Sequence, residues 1–253
     1  MKNIKQRTVV ITGGTSGIGL GVAQAFDRAN YRVIVSARQS RSVLKILSKN
    51  AVFIPCDVRS LKAVERLMAV AIAKTGRLDA IIHCAGFSQW KPIQKIDETF
   101  LSQMLDVNLK GAFWGAKAAV KYLKQGGVII NIASLAGKRG SVNNSAYCAA
   151  KFGVVGLTQA LAKELGPKGI RVNAVCPVYV ETPGVMRALK EKGSPANGQD
   201  VSAYLNEFTL SQTALKRLPT VKEVADVCLF LASDQASAVT GQSLNVDCGV
   251  MPQ

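Results

Sequence analysis

Short apolar runs alternate with amphipathic segments along almost the whole chain. The runs are rich in Val and Ile and are bounded by Gly, Pro, Asn or Asp, which is typical of buried strands. Seven runs are predicted as strands, at residues 8–12, 31–36, 51–55, 79–83, 127–133, 170–176 and 242–246. The segments between them repeat apolar residues at helical spacing, and they predict helices at residues 17–29, 61–74, 98–123, 145–166 and 221–232.

This alternation predicts a single α/β domain over residues 1–253. Strands that are apolar on both faces belong to a parallel sheet covered by helices on each side. Right-handed crossovers then wind the chain into a doubly wound, Rossmann-type sheet, whose ligands bind at the carboxyl ends of the strands. Functional side chains are therefore expected directly after the strands.

One segment interrupts the rhythm after the sixth predicted strand. Residues 178–213 contain short helical pieces separated by Pro183, Gly184, Gly193, Pro195 and Gly198. A long irregular insertion in a domain of this kind is usually functional. Because it follows the carboxyl end of a strand, we expect it to form a lid over a substrate.

A glycine-rich turn, Thr12 to Gly19, separates the first predicted strand from the first predicted helix. Gly13, Gly17 and Gly19 are spaced G-x3-G-x-G, which differs from the commoner G-x-G-x-x-G. Glycines let the backbone approach a pyrophosphate, and the helix N-terminus offers N–H groups and a positive dipole end to it. The turn therefore predicts a dinucleotide site.

The residues after the second predicted strand indicate which dinucleotide binds. An Asp or Glu there would accept the ribose 2′-hydroxyl of NAD, whereas Arg accommodates a 2′-phosphate. The chain has no acid in this stretch and has arginines at Arg38 and Arg41, so NADP(H) is predicted over NAD(H). Asp57, after the third predicted strand, suits either the adenine amino group or a helix N-cap.

Tyr147 and Lys151 lie four residues apart in a predicted helix and so share one face. A phenol is a weak base at neutral pH, and a nearby ammonium together with a cationic nicotinamide would lower its pKa. Ser134, at the end of the preceding strand, is placed to bind a substrate oxygen beside that phenol. The three residues predict acid/base chemistry on a carbonyl or alcohol.

Taken in this order, these motifs resemble the short-chain dehydrogenase/reductase family, in its single-domain form of about 250 residues. Cys84-Ala85-Gly86, Asn108, Pro177, Thr182 and the closing Val246-Asp247-Cys248-Gly249 extend the match to the end of the chain. The resemblance implies the strand order 3-2-1-4-5-6-7, a homotetramer (or dimer), and a catalytic set of four residues, Asn108, Ser134, Tyr147 and Lys151.

The resemblance also implies the binding roles. Asn108 would hold a water that links Lys151 to solvent, Lys151 would bind the nicotinamide ribose, and Thr182 with Val180 would contact the carboxamide. The full set of residues expected to hold the dinucleotide comprises Gly13, Thr15, Ser16, Gly17, Ile18, Gly19, Arg38, Asp57, Val58, Cys84, Ala85, Gly86, Tyr147, Lys151, Pro177, Val180 and Thr182.

Three motifs depart from the pattern of the family. Its usual Asn-Asn-Ala-Gly reads His83-Cys84-Ala85-Gly86 here, and Cys84 cannot reproduce the hydrogen bonds of an amide. Its Pro-Gly after the sixth strand is Pro177-Val178, and its Asp-Gly-Gly near the end has Cys248 in the middle. His83 is the single histidine, and Tyr147 already fills the acid/base role.

The net charge of +16 suits an anionic partner, although the basic residues are spread along the chain. Lys138 and Arg139 closely follow Ser134 and are expected to attract an anionic substrate, either free or carried as an acyl thioester. The 3-oxoacyl carrier-protein reductases are the nearest analogy, but many of them have a basic residue where this chain has Val128. Substrate contacts are expected from Ser134, Leu135, Trp90 and Tyr204.

Two alternatives remain open at this point: an NAD-dependent sugar or polyol dehydrogenase, and a non-catalytic dinucleotide-binding interaction protein.

No stripe of basic and aromatic residues supports nucleic-acid binding. No apolar run reaches 18 residues, so a cytoplasmic protein without a membrane span is expected. The six cysteines form no C-x-x-C pair, so neither a metal site nor a disulfide framework is expected.

Overall fold

The computed structural model describes residues 6–39 and 42–252, and in these ranges seven parallel strands form one sheet. They are β1 (Thr8–Thr12), β2 (Arg32–Ala37), β3 (Val52–Pro55), β4 (Leu78–His83), β5 (Leu123–Ile132), β6 (Arg171–Pro177) and β7 (Ser243–Val246). Their order is β3-β2-β1-β4-β5-β6-β7, which confirms the predicted doubly wound topology.

Helices cover both faces of the sheet. In chain order they are α1 (Gly17–Arg28), α2 (Leu61–Thr75), α3 (Glu98–Leu105), α4 (Gly111–Ala119), α5 (Ser145–Leu165), α6 (Pro183–Leu189), α7 (Val201–Gln212) and α8 (Val221–Ala232). A π-helical turn, Asp106–Lys110, joins α3 to α4. No helix in the described ranges is long and apolar enough to cross a bilayer.

Alternate strand residues supply two separate cores, as the two-residue period of a strand requires. Ile11 packs with α1 and α8 on one face, and Val10 packs with α2, α4 and α5 on the other. Gly21 on α1 touches Val221 at the start of α8, so closely that a Cβ would overlap its side chain. Burying a large side chain such as Phe26, which is fully enclosed, contributes about 2 to 3 kcal/mol.

The predicted helix at 98–123 and the predicted strand at 127–133 were wrong in their bounds. The helical stretch ends at Ala119, and β5 begins at Leu123, which pairs with Leu78. The pairing shifts register between Leu78 and Ala80. Gly126 has a φ of +84° and donates its N–H to the Gly169 carbonyl at 2.9 Å. Pairing with β4 therefore makes Leu123 part of a strand, although apolar spacing alone assigns it to the end of the helix.

Residues 178–213, where short helical pieces are expected, contain the two helices α6 and α7. Leu189 and Leu205 pack with Trp90, from the loop after β4, in a small cluster of their own. Asn143, just before α5, donates its Nδ2–H to the Gly193 carbonyl at 3.1 Å. The segment is thus attached to loops at the carboxyl edge of the sheet, where the polar strand ends converge.

Candidate active site

A cavity of about 1070 Å³ runs along the carboxyl edge of the sheet. Arg38 and Asp57 line one end, the glycine-rich turn lines the middle, and Ser134 and Tyr147 line the other end. Every residue predicted to hold the dinucleotide or to act in catalysis lies on its wall. The parallel topology explains this convergence, because these residues follow the carboxyl end of a strand or lie in the first two turns of the next helix, apart from Asn108 in the π-helical turn.

The glycine-rich turn is shaped by steric limits on Cβ atoms. Gly13 has a φ of +67°, and a Cβ there would lie 2.7 Å from the backbone of Ala85. Gly19 contacts the Gly13 carbonyl so closely that a Cβ would overlap it. The turn feeds α1, whose first turn contains no acid and whose N-cap, Ser16, makes no side-chain capping bond. This N-terminus is therefore suited to a pyrophosphate.

At the end of the cavity lined by Arg38, Asp57 forms an ion pair with Arg59. The Arg59 Nη2 and Asp57 Oδ2 atoms are 2.6 Å apart, and this contact lowers the pKa of Asp57 more than the charge of Arg38 does. Asp57 is not the N-cap of α2, because Ser60 accepts the Ala63 N–H there at 3.3 Å. Of the two arginines predicted near this end, Arg41 lies outside the described residues.

A second cavity of about 630 Å³ adjoins this end and shares Arg38, Cys56 and Asp57 with the first. From α2, Lys62 and Arg66 line it as well. None of its three basic side chains forms an ion pair within the described part of the chain. This end of the cavity thus has a positive potential, which favours an anionic group such as a phosphate.

At the other end, Lys151 is buried and donates from Nζ to the Ile132 carbonyl at 2.8 Å. Its Nζ lies 5.6 Å from the centroid of the Tyr147 ring. The Ser134 hydroxyl accepts the Ala136 N–H at 3.1 Å, which fixes it at the start of the turn after β5. The three side chains predicted for acid/base chemistry are therefore brought to one wall.

Burial dominates the electrostatics of this wall. It raises the pKa of Tyr147 to about 12, and a hydrogen bond with Ser134 acts in the opposite direction. Burial also lowers the pKa of Lys151, to about 8. The expectation that Lys151 and a bound nicotinamide together lower the pKa of the phenol stays a prediction.

Asn108 lies in the π-helical turn and is buried. Its Nδ2 donates to the Phe87 and Met104 carbonyls, each at 3.1 Å, and its Oδ1 accepts the Phe87 N–H at 3.3 Å. A Cβ on Gly86 would lie 2.8 Å from Asn108 Oδ1 and 3.7 Å from Lys151 Nζ. Asn108 therefore holds the loop after β4 beside Lys151, and the role expected of a water there stays a prediction.

His83 does not face the reacting groups. Its imidazole is buried against Gly115 of α4, and neither ring nitrogen has a hydrogen-bond partner within the described residues. Burial lowers its pKa to about 4, so the ring is neutral near pH 7.

Cys84 and Val178, two departures from the family pattern, both line the cavity.

Three of the four predicted substrate residues line the cavity. Ser134, Leu135 and Trp90 line the cavity, whereas Tyr204 is absent from its lining. Tyr204 lies behind Tyr179, and their hydroxyl oxygens are 3.2 Å apart. Of the basic pair after Ser134, Arg139 lines the cavity and Lys138 does not.

Sequence reasoning missed several lining residues of the substrate half. They are Gln103, Ser141, Asn144, Tyr179, Arg187 and Glu191. Asn144 had a usable signal, since it lies three residues before Tyr147 and hence near it on one helix end.

The described residues contain no group of His, Cys, Asp and Glu able to hold a metal ion, and all six cysteines are unpaired.

Comparison with known proteins agrees with this geometry. A family model described as enoyl-(acyl carrier protein) reductase matches residues 13–251. The monensin polyketide synthase putative ketoacyl reductase of Streptomyces virginiae is 36% identical over 259 residues, covering 98% of each chain. The 3-oxoacyl-acyl-carrier-protein reductase FabG of Thermotoga maritima is 33% identical over 257 residues, covering 98% of this chain and 99% of that protein. An actinorhodin polyketide ketoreductase variant solved with NADPH has a TM-score of 0.90 at 34% identity, covering 99% of both chains.

Proposed function

The chain belongs to the short-chain dehydrogenase/reductase family of oxidoreductases, and from that premise we propose an NADP(H)-dependent reaction that interconverts a carbonyl and a secondary alcohol. The observation that carries the proposal is one continuous cavity joining the glycine-rich turn to Tyr147, Lys151 and Ser134. A dinucleotide supplies or accepts the hydride when bound. The protein's own side chains position the substrate oxygen and transfer its proton.

Tyr147 is the proton donor for carbonyl reduction in this proposal. Because its pKa is raised to about 12, the phenol is protonated at neutral pH and has a proton to give to a developing alkoxide. Ser134 holds the substrate oxygen by a hydrogen bond and so orients it toward the phenol. Lys151 acts behind Tyr147, on the nicotinamide ribose and in returning the proton from solvent.

NADP(H) is preferred to NAD(H) in this proposal because the adenosine end is basic. Arg38 is exposed at the end of β2, and Lys62 and Arg66 add positive charge across the adjoining cavity. A solved relative was crystallised with NADPH. A guanidinium binds phosphate oxygens in a bidentate manner. Residues 36–39 contain no acid, so no carboxylate in this stretch accepts the ribose 2′-hydroxyl of NAD(H) or repels a 2′-phosphate.

Residues 178–213 form the substrate lid in this proposal, and copies of the chain assemble as a homotetramer or dimer. Thr182 opens the lid segment and caps α6, accepting the Val185 N–H at 3.3 Å. For assembly, the exposed apolar side chains Leu101, Phe113 and Phe152 lie on α3, α4 and α5. Apolar groups left on consecutive helices favour burial against a second copy.

Replacement of the phenol tests the proposed function. Tyr147→Phe removes only the hydroxyl, so kcat with NADPH is expected to fall at least ~100-fold, while NADPH binding by fluorescence titration changes less than threefold. Tyr122→Phe is the matched control, because Tyr122 does not line the cavity. The assay uses a panel of neutral ketones, keto acids, sugars, acyl thioesters and enoyl thioesters. Near-normal kcat in Tyr147→Phe would remove Tyr147 from its proposed role.

A further inference from the structure

The substrate half of the cavity contains more positive than negative side chains. Arg139 and Arg187 both line it, and Glu191 is the single carboxylate that lines it in the described ranges. Neither arginine makes an ion pair with a described residue. A cleft with low-dielectric walls focuses the field of such charges, so this half of the cavity attracts an anion.

Arg139 is fixed relative to the reacting end. Its N–H donates to the Leu135 carbonyl at 3.0 Å, which closes the turn after Ser134. Its own carbonyl accepts from Cys148 Sγ at 3.9 Å, and Cys148 is the residue after Tyr147. The backbone of Arg139 is therefore tied to both elements that carry the proposed acid/base groups.

Tyr179, from the loop after β6, lines the same cavity as Arg139. Burial raises the pKa of Tyr179, and the positive charge of Arg139 opposes that effect. The Tyr179 ring packs edge-on against Phe208, with 4.9 Å between centroids. An apolar wall and a cation thus adjoin, as a ligand with a carbon chain and an acidic end requires.

Arg187 supplies the second cation from another direction. It lies on α6, whose N-cap is Thr182. A Cβ on Gly17 would lie 3.4 Å from Thr182, so the start of α6 also abuts the glycine-rich turn. Arg187 and Arg139 therefore come from separate elements, the lid segment and the turn after β5, and both line the same half of the cavity.

We propose that the substrate is a small keto acid whose carboxylate binds at Arg139 and Arg187, beside Tyr179, while its ketone oxygen lies at Ser134 and Tyr147. The inference rests on the proposed function and adds the substrate class to it. Reduction transfers a hydride from NADPH to the ketone carbon and a proton from Tyr147 to the oxygen, giving a hydroxy acid and NADP⁺. The carboxylate takes no part in the chemistry and serves for recognition.

Matched substrate pairs test this inference. Acetoacetate and 3-oxohexanoate are compared with their methyl esters, which keep the ketone and remove the charge. Charge-assisted hydrogen bonds contribute about 1.5 to 3 kcal/mol, so wild-type kcat/KM is expected to be at least ~10-fold higher for an acid than for its ester. Arg139→Gln removes an exposed charge that is partly screened by water, so KM for the acid is expected to rise ~3-fold to ~10-fold, while kcat/KM for the ester changes less than threefold.

Two further variants sharpen the comparison. Arg187→Gln is expected to raise KM for the acid at least threefold, because Arg187, like Arg139, is exposed and its charge is partly screened by water. Lys138→Gln is the matched control, since it removes the same charge one residue away from Arg139 and outside the cavity lining. Lys138→Gln is expected to leave both substrates unaffected.

A binding measurement keeps the test independent of turnover. Calorimetric titration of acetoacetate into NADPH-loaded Tyr147→Phe is expected to show binding that weakens in Arg139→Gln and at 0.5 M NaCl. Reduction of neutral ketones or carrier-protein thioesters in preference to keto acids would overturn the carboxylate site and leave the proposed function in place. Failure to reduce any carbonyl compound, together with no acetoacetate binding, would overturn both.

Discussion

The Nζ atom of Lys151 donates to the carbonyl oxygen of Ile132 at 2.8 Å, which ties α5 to the end of β5. Lys151 lies one helical turn from Tyr147 on α5, and its Nζ is 5.6 Å from the centroid of the Tyr147 ring. Since the lysine is buried, its charged form is disfavoured and its pKa is lowered from 10.5 to about 8. The protonation state of Lys151 therefore changes within the range over which such enzymes are assayed.

A pH dependence follows for carbonyl reduction. The Tyr147 pKa, raised to about 12, lies above that of Lys151, so the lysine loses its proton first as pH rises. We expect kcat/KM to fall about tenfold per pH unit above about pH 8. A profile from pH 6 to 10 with saturating NADPH checks this. A profile flat to pH 10 would show that the lysine charge is not needed.

Charge reversal at Arg38 should change the choice of dinucleotide. Arg38→Glu places a carboxylate where the 2′-phosphate of NADPH is proposed to bind, and we expect Kd for NADPH to rise at least ~10-fold. Binding of NADH is expected to hold or improve. Arg28→Glu makes the same change on an exposed residue that lines neither cavity. Equal effects of the two variants would indicate general electrostatics rather than a phosphate contact.

Much of the site was accessible from the sequence because a parallel sheet brings all its strand ends to one edge. Ser134 is distant in sequence from Gly13, yet apolar runs located the strands and so located the edge. Asn108 was expected only from the resemblance to the family. The bounds of β5 were not accessible, since Leu123 pairs with Leu78 only in three dimensions. The π-helical turn around Asn108 has no signal in apolar spacing.

Side-chain direction in loops was the other limit. Lys138 and Arg139 are adjacent and equally basic, and only the fold shows that Arg139 alone reaches the cavity. Tyr204 and Tyr179 are both aromatic residues of the substrate end, and their order across the wall depends on how α7 packs. Helices and strands have fixed periods from which a facing side can be read, whereas turns have none.

His83 should make the protein sensitive to mild acid. Its pKa is lowered from 6.5 to about 4 by burial, so the unfolded chain binds a proton more readily between those values. Stability is therefore complete above about pH 6.5 and decreases as pH falls toward 4. At about 1.4 kcal/mol per pKa unit, the loss amounts to roughly 3 kcal/mol.

The acid sensitivity can be assigned to His83, because it is the single histidine and no other imidazole titrates in the same range. Urea unfolding at pH 7.0, 5.5 and 4.5 gives the free energies for wild type and for His83→Asn. We expect the slope between pH 7.0 and 5.5 to disappear in the variant. The same slope in both proteins would assign the acid sensitivity to carboxylates instead.

Cys248 is expected to strain the end of the chain. Its φ is +54°, in the left-handed region that favours glycine, and Gly249 after it has a φ of +82°. The conformation is held by its neighbours, because the Cys248 carbonyl accepts the Leu215 N–H at 3.1 Å and buried Asp247 accepts the Gly249 N–H at 3.0 Å. Left-handed backbone costs a residue with a Cβ about 1 to 2 kcal/mol.

Cys248→Gly should therefore raise the free energy of unfolding by about 0.5 to 1 kcal/mol, since glycine relieves the strain but gains entropy in the unfolded chain. Cys248→Ala keeps a Cβ and removes the thiol, so it should stay within ~0.5 kcal/mol of wild type. Urea unfolding at one fixed protein concentration compares the three, because any assembly makes stability concentration-dependent. Equal stabilisation by Ala and Gly would place the effect in the thiol rather than in the backbone.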